Sequence, residues 1–174
     1  PAKPWNPGPN SVVKLSRNSQ SPFRNIFGPG ELGLHMPNRG DYDGFGVTLS
    51  SIKPDKDQHL FVGFDFRAAG SEAGGNGSWR YYLGHGPGNS AAIELFFTGK
   101  DFFRRSADAK ETVAPLKIGE WYQVQLNLDL KARTYAGQLL SLGSKTDFAG
   151  QFASGWDGTI DYSFIDSYGH LGGV

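Results

Sequence analysis

Trp121-Tyr-Gln-Val-Gln-Leu-Asn-Leu-Asp-Leu130 alternates apolar and polar residues with a period of two. Tyr122, Val124, Leu126, Leu128 and Leu130 fall on one side, and Trp121, Gln123, Gln125, Asn127 and Asp129 on the other. On a helix those apolar residues would scatter around the circumference, so the stretch is a β-strand with one buried face. It lies within Glu120 to Ala136, the longest stretch free of Gly and Pro. The same period marks Phe45 to Ser50, His59 to Phe66, Ala92 to Phe97 and Ile160 to Ile165. Val12 to Leu15, Trp79 to Leu83, Phe102 to Arg104 and Thr134 to Leu140 are weaker strands. About nine or more strands divided by turn signals predict an all-β, two-sheet antiparallel sandwich. A helix fits only around Ser106 to Thr112, and for one turn at most.

Composition agrees. The 174 residues suit one domain, large enough to hold a core without a staple, and there is no cysteine. The 25 glycines and 10 prolines are dispersed along the chain. Seventeen basic residues balance 17 acidic ones, which gives no basic stripe for nucleic acid. No apolar run reaches the ~20 residues of a membrane-spanning helix. The chain opens Pro1-Ala-Lys-Pro-Trp5 and is expected to be an excised or processed piece of a longer protein. Residues 1–10 are expected to form a linker or lead-in strand, and residues 11–174 the domain.

Ile118-Gly-Glu-Trp-Tyr-Gln-Val-Gln-Leu-Asn-Leu-Asp129, followed by Thr134-Tyr-Ala-Gly-Gln-Leu139, resembles the laminin-G/pentraxin-like branch of the concanavalin A-like lectin/glucanase superfamily. In that branch a Gly-x-Trp opens a strand, an alternating run follows, an Asp closes it, and a Tyr starts the hairpin partner. The resemblance implies a jelly roll. It also implies a final strand near the first one, expected here to lie beyond Val174. Gly33-Leu-His-Met-Pro-Asn-Arg-Gly-Asp-Tyr-Asp-Gly-Phe-Gly46 is similar to jelly-roll segments of large secreted bacterial proteins that carry cytochrome c-like modules. The fold itself does not decide the ligand.

Glucanases on this fold carry Glu-x-Asp-x-x-Glu on one strand, so that acid and nucleophile flank the glycosidic bond. None of Glu31, Glu72, Glu94, Glu111 or Glu120 has an acid two residues on. A Gly-x-Ser-x-Gly elbow, a phosphate loop and a metal-spaced histidine pair are also missing. Asp41 and Asp43, with the loop carbonyls around them, could ligate a structural calcium ion, Asp43 being favoured. Asp before Gly is equally plain turn chemistry. A bound ion would make EDTA lower the melting temperature and added calcium restore it, because a ligand of the native state stabilises by mass action. An unchanged melting curve in millimolar chelator would leave Asp41 and Asp43 as turn residues.

The remaining constellation is aromatic. After the Gly-rich loop, Trp79 and Tyr81 share one strand face, and Arg80 and Tyr82 the other. Two readings stand: ordinary core, or a platform on which sugar rings stack while Arg80, Asn76 and Glu94 bond hydroxyls. His85 between two glycines and Trp156 in a Gly-Trp-Asp-Gly loop are further ligand-binding candidates. Phe61 and Phe96 lie opposite the apolar rows of their strands, as ligand platforms or beneath a covering loop. The resulting expectation is a non-catalytic, secreted or otherwise extracytoplasmic module that binds carbohydrate. The alternatives are a protein-interaction or spacer module docking neighbouring domains of its parent and, remotely, a glucanase.

Overall fold

The computed structural model describes residues 6–7, 14–16, 21–23, 33–35, 44–53, 58–67, 78–86 and 90–168. Asp41, Asp43 and Asn76 lie outside these. Along the chain the described strands are β1 (Asn6–Pro7), β2 (Lys14–Ser16), β3 (Gly33–His35), β4 (Gly44–Ile52), β5 (His59–Arg67), β6 (Ser78–His85) and β7 (Ser90–Phe97). They continue with β8 (Asp101–Ser106), β9 (Ala109–Pro115), β10 (Trp121–Asp129), β11 (Thr134–Leu140), β12 (Lys145–Gln151) and β13 (Ile160–Tyr168). The described residues contain no helix.

Seven strands form one sheet in the order β1-β4-β13-β6-β7-β8-β9. Four form the second, β12-β11-β10-β5, and β2 pairs with β3 alone. Every pairing is antiparallel. The two larger sheets enclose one core, and on β10 it follows the period-two pattern. Tyr122, Val124, Leu126 and Leu128 of β10 are buried, and Gln125 and Asn127 between them are exposed. From the facing sheet come Trp79, Tyr81, Leu83, Ile93, Leu95, Phe97 and Phe102. Phe66 stacks on Phe97 at 4.6 Å and on Tyr122 at 5.5 Å between ring centroids, so aromatic contacts join the two layers.

Two glycines have definite tasks. Gly119, at φ +82°, makes the left-handed turn that delivers the chain into Trp121 and β10. Gly137 sits in the middle of β11 facing the core, where the Phe148 ring laps over it. A Cβ there would also lie 2.8 Å from Leu126 Cδ2.

Two expectations change. Residues 106–112 are not a helical turn: Ser106 pairs with Ala109 and Arg105 with Lys110, around a two-residue turn with Ala107 at φ 50°. The pairing of β9 with β8 satisfies the backbone that an isolated helical turn would have left open. Lys145–Gln151, absent from the predicted strands, is β12, an edge strand that buries only Phe148 fully.

Candidate functional site

The outer face of the four-stranded sheet is open, and its register orders it into rows across the strands. Phe61 pairs with Asn127, Asn127 with Ala136, and Ala136 with Ala149. The next row is Gly63, Gln125, Gln138 and Asp147, and the row beyond is Asp65, Gln123, Leu140 and Lys145. Directly opposed residues project to the same side of a sheet, so each row presents its side chains together. Apart from Gly63, the first two rows line a shallow groove of about 740 Å³. Its floor is low because Ala136 and Ala149 carry only a methyl group. Phe61 stands at one end, 75% exposed.

The polar groups beside that floor are partly oriented in advance. Gln125 Nε2 donates to Gln123 Oε1 at 2.7 Å, and Gln123 Nε2 donates to Asp65 Oδ1 at 2.9 Å. Ser21 Oγ completes the relay with a 2.6 Å bond to Asp65 Oδ2. Nothing among the described residues hydrogen-bonds the side-chain amides of Asn127 or Gln138. Asp147 is paired with Lys145 at 3.3 Å, both side chains being half or more exposed, so the pair adds little stability. Chemically, the groove offers one apolar ring face, adaptable amide donors and acceptors, and a single carboxylate.

The aromatic platform expected on β6 is buried on both sides. Trp79 (1% exposed) and Tyr81 (5%) belong to the core between the sheets, and Tyr81 accepts a 3.2 Å hydrogen bond from Ser163. Burial pushes the Tyr81 hydroxyl up to about 12. Tyr82 lies on the opposite side but is equally buried: it stacks on Phe164 at 4.5 Å and donates to the carbonyl of His85. None of these three rings leaves a face for a sugar. Trp156, expected in an exposed loop, is 3% exposed, edge-on to Phe152, with its indole N–H donating to the carbonyl of Thr159. Phe96 is covered as well, with Lys110 Nζ 4.4 Å from its ring centroid.

Arg80 and Glu94 come together, but in a buried ion network. Arg80 holds Asp166 through Nε at 3.0 Å and Nη2 at 2.7 Å, and reaches Glu94 Oε1 at 2.9 Å. Arg105 takes the other oxygen of Glu94. Burial pushes the Asp166 carboxyl up, against the pull of Arg80. Nothing in the sequence marks Asp166 as a partner, since it lies 86 residues from Arg80. Arg80→Ala would leave two buried carboxylates short of a countercharge and is expected to cost about 3–5 kcal/mol. That corresponds to a fall of very roughly 10 °C in melting temperature for a chain of this length. A calorimetric scan showing no change would put the network in solvent.

His85 clamps two loops. Its Nδ1 lies 2.5 Å from Asp157 Oδ2, and its Nε2 is 3.6 Å from Asp161 Oδ2. Ser90 Oγ donates to the carbonyl of Gly155 and accepts from the N–H of Asp157, so the β6–β7 turn is tied to the β12–β13 loop. The hydrogen bond to Asp157 raises the His85 pKa above 6.5 and lowers that of Asp157 below the ordinary carboxylate value. The histidine's contribution is complete below its unfolded pKa and is lost as pH rises through the folded one. The aspartate's contribution is present above its unfolded pKa and is lost as pH falls through the folded one. The clamp is therefore strongest in the mildly acidic range between them. An NMR titration should place the His85 midpoint above 6.5 and show it fall in Asp157→Asn. An identical midpoint in both proteins would remove the clamp.

Among the described residues no group of His, Asp and Glu is arranged to hold a metal ion, and no helix is long and apolar enough to cross a membrane. No family model matches the chain, and no curated protein does. Solved structures do. A sialidase is similar over 94% of this chain at 18% identity and a TM-score of 0.64, and the matched part is 13% of the sialidase's length. Peanut lectin covers 95% at 10% identity and 0.63, with 84% of its own length matched. Lectin II from Ulex europaeus covers 96% at 10% identity and 0.58. The fold is a two-sheet jelly-roll sandwich like that of these lectins. At these identities the likeness shows the fold alone, so the ligand must be argued from the jelly roll's own open face.

Proposed function

We propose that this chain is a non-catalytic, extracytoplasmic carbohydrate-binding module whose ligand lies in the groove beside Phe61. The observation that carries this reading is the 75% exposed Phe61 ring at the end of a row of small residues, with the amides of Asn127, Gln125 and Gln138 beside it. A lone exposed phenylalanine is unremarkable. One that closes a groove of small residues and unbonded amides offers an apolar wall for the C–H face of a sugar and hydrogen bonds for its hydroxyls. The lectin and sialidase structures with the same fold support the reading.

A non-catalytic role fits the groove's chemistry. Glycoside hydrolysis requires two carboxyl groups flanking the bond, and among the described residues Asp147 is the only acid lining the groove. Few stacked rings and costly desolvation of hydroxyls put the affinity in the micromolar to millimolar range, about 4–8 kcal/mol. A glycan array probed with the multivalently displayed domain tests the proposal, and binding to at least one polysaccharide class is the expected result.

A second reading has its own observation. Ile118 (60% exposed) and Leu142 (80%) sit in the β9–β10 and β11–β12 turns. Pairing of Gln123 with Leu140 brings those turns to one end of the sandwich. Such an apolar end suits docking to a neighbouring domain, and a blank array would favour it.

A further inference from the structure

We infer that the groove takes a neutral, extended, equatorially linked polysaccharide laid across the strands, so that several consecutive rings are read at once. The inference rests on the carbohydrate-binding reading above and adds the ligand's charge, shape and direction.

Direction follows from the register. The low floor runs from Phe61 on β5, past Asn127 on β10, over Ala136 on β11 to Ala149 on β12. Beside it Gln125, Gln138 and Asp147 form a rail with one polar side chain per strand. Strands lie about 4.8 Å apart, so the floor extends over about 14 Å and the three-strand rail over about 10 Å. The repeat of the rail is close to the advance per ring of an extended pyranose chain, which lets successive rings meet successive polar groups. A helical, axially linked polymer would not keep successive rings in step with a row that advances one strand at a time. Both β5 and β12 are edges of the described sheet, so the polymer can continue past either side.

Charge follows from the lining. The groove contains Asp147 but neither lysine nor arginine. Lys145, the nearest cation in the register, is already paired with Asp147. A uronate or sulfate group in the groove would therefore find no cation in its lining to bind it, and would meet only a carboxylate that Lys145 already neutralises. Neutral hydroxyls need no countercharge and can bond the amides directly.

Isothermal titration of the intact domain decides the matter. The neutral probes are β-1,4-linked gluco-, manno- and xylo-hexasaccharides with their disaccharides; the acidic probes are polygalacturonate and heparin. The best hexasaccharide is expected to bind at least about tenfold more tightly than its disaccharide, with no measurable binding of the acidic polymers. Ala149→Ile raises the floor at the far end without offering an aromatic face. It should weaken the hexasaccharide by at least about tenfold and leave the disaccharide unaffected. Equal affinity for short and long probes, or tighter binding of an acidic polymer, overturns the inference. Should Ala149→Ile fail to fold, the length dependence still decides. Binding that Phe61→Ala removes but chain length does not affect would overturn the crossing polymer and leave carbohydrate binding in place. No binding of any probe would overturn the crossing polymer, and a blank glycan array beside it would overturn carbohydrate binding as well.

Discussion

Leu126→Asp is expected to leave the chain without a cooperative melting transition. Leu126 is 3% exposed, on the core side of β10, with Val62 on one neighbouring strand and Gly137 on the other. A carboxylate there has no partner and no water, so it must either stay charged in an apolar layer or protonate at a cost. Either penalty, added to the lost leucine packing, takes several kcal/mol from a domain stable by only about 5–15. Asn127→Asp, one residue on and facing solvent, is expected to stay within about 0.5 kcal/mol of the wild type. Far-UV circular dichroism during heating distinguishes them. A cooperatively melting Leu126→Asp would contradict the two-faced strand on which the fold rests.

Phe61→Ala is expected to do the reverse, leaving stability unchanged and removing glycan binding. The ring is 75% exposed, so its loss opens no cavity. Covering it with a sugar would bury apolar area worth on the order of 2 kcal/mol, or roughly thirtyfold in affinity. From a micromolar-to-millimolar starting point, that takes retention on an insoluble polysaccharide below detection. Retarded migration in polysaccharide-containing native gels provides a second readout. Undiminished retention of Phe61→Ala would place the site elsewhere on the molecule.

The sandwich could be read from sequence because a strand with one dry face writes its geometry in adjacent residues, as Tyr122 to Leu130 does. Strands that bury little write less. Lys145–Gln151 fully buries only Phe148, and Ala109–Pro115 is an exposed edge, so one went unrecognised and the other passed for a turn. The site was harder to read. Phe61 was visible as an aromatic on the wrong side of its strand, but whether it was covered or open depended on the rest of the fold. Phe96, with the same local pattern, is buried under Lys110. The groove joins Phe61 to Asp147 and Ala149 through three strand registers, and no local pattern encodes that juxtaposition. Trp79, Tyr81 and Tyr82 misled for the complementary reason. An aromatic strand in the interior of a seven-stranded sheet, with an ion network on its second side, looks locally like a platform.

The measurement that bears most directly on the groove is an amide-resolved NMR titration of the labelled domain with the polysaccharide fragment it binds best. Shift changes should concentrate on Phe61, Gln125, Asn127, Ala136, Gln138 and Ala149, with Trp79, Tyr82 and His85 unmoved. Changes centred on the β6–β7 turn or the Arg80–Asp166 network, with the face of the four-stranded sheet silent, would contradict the account.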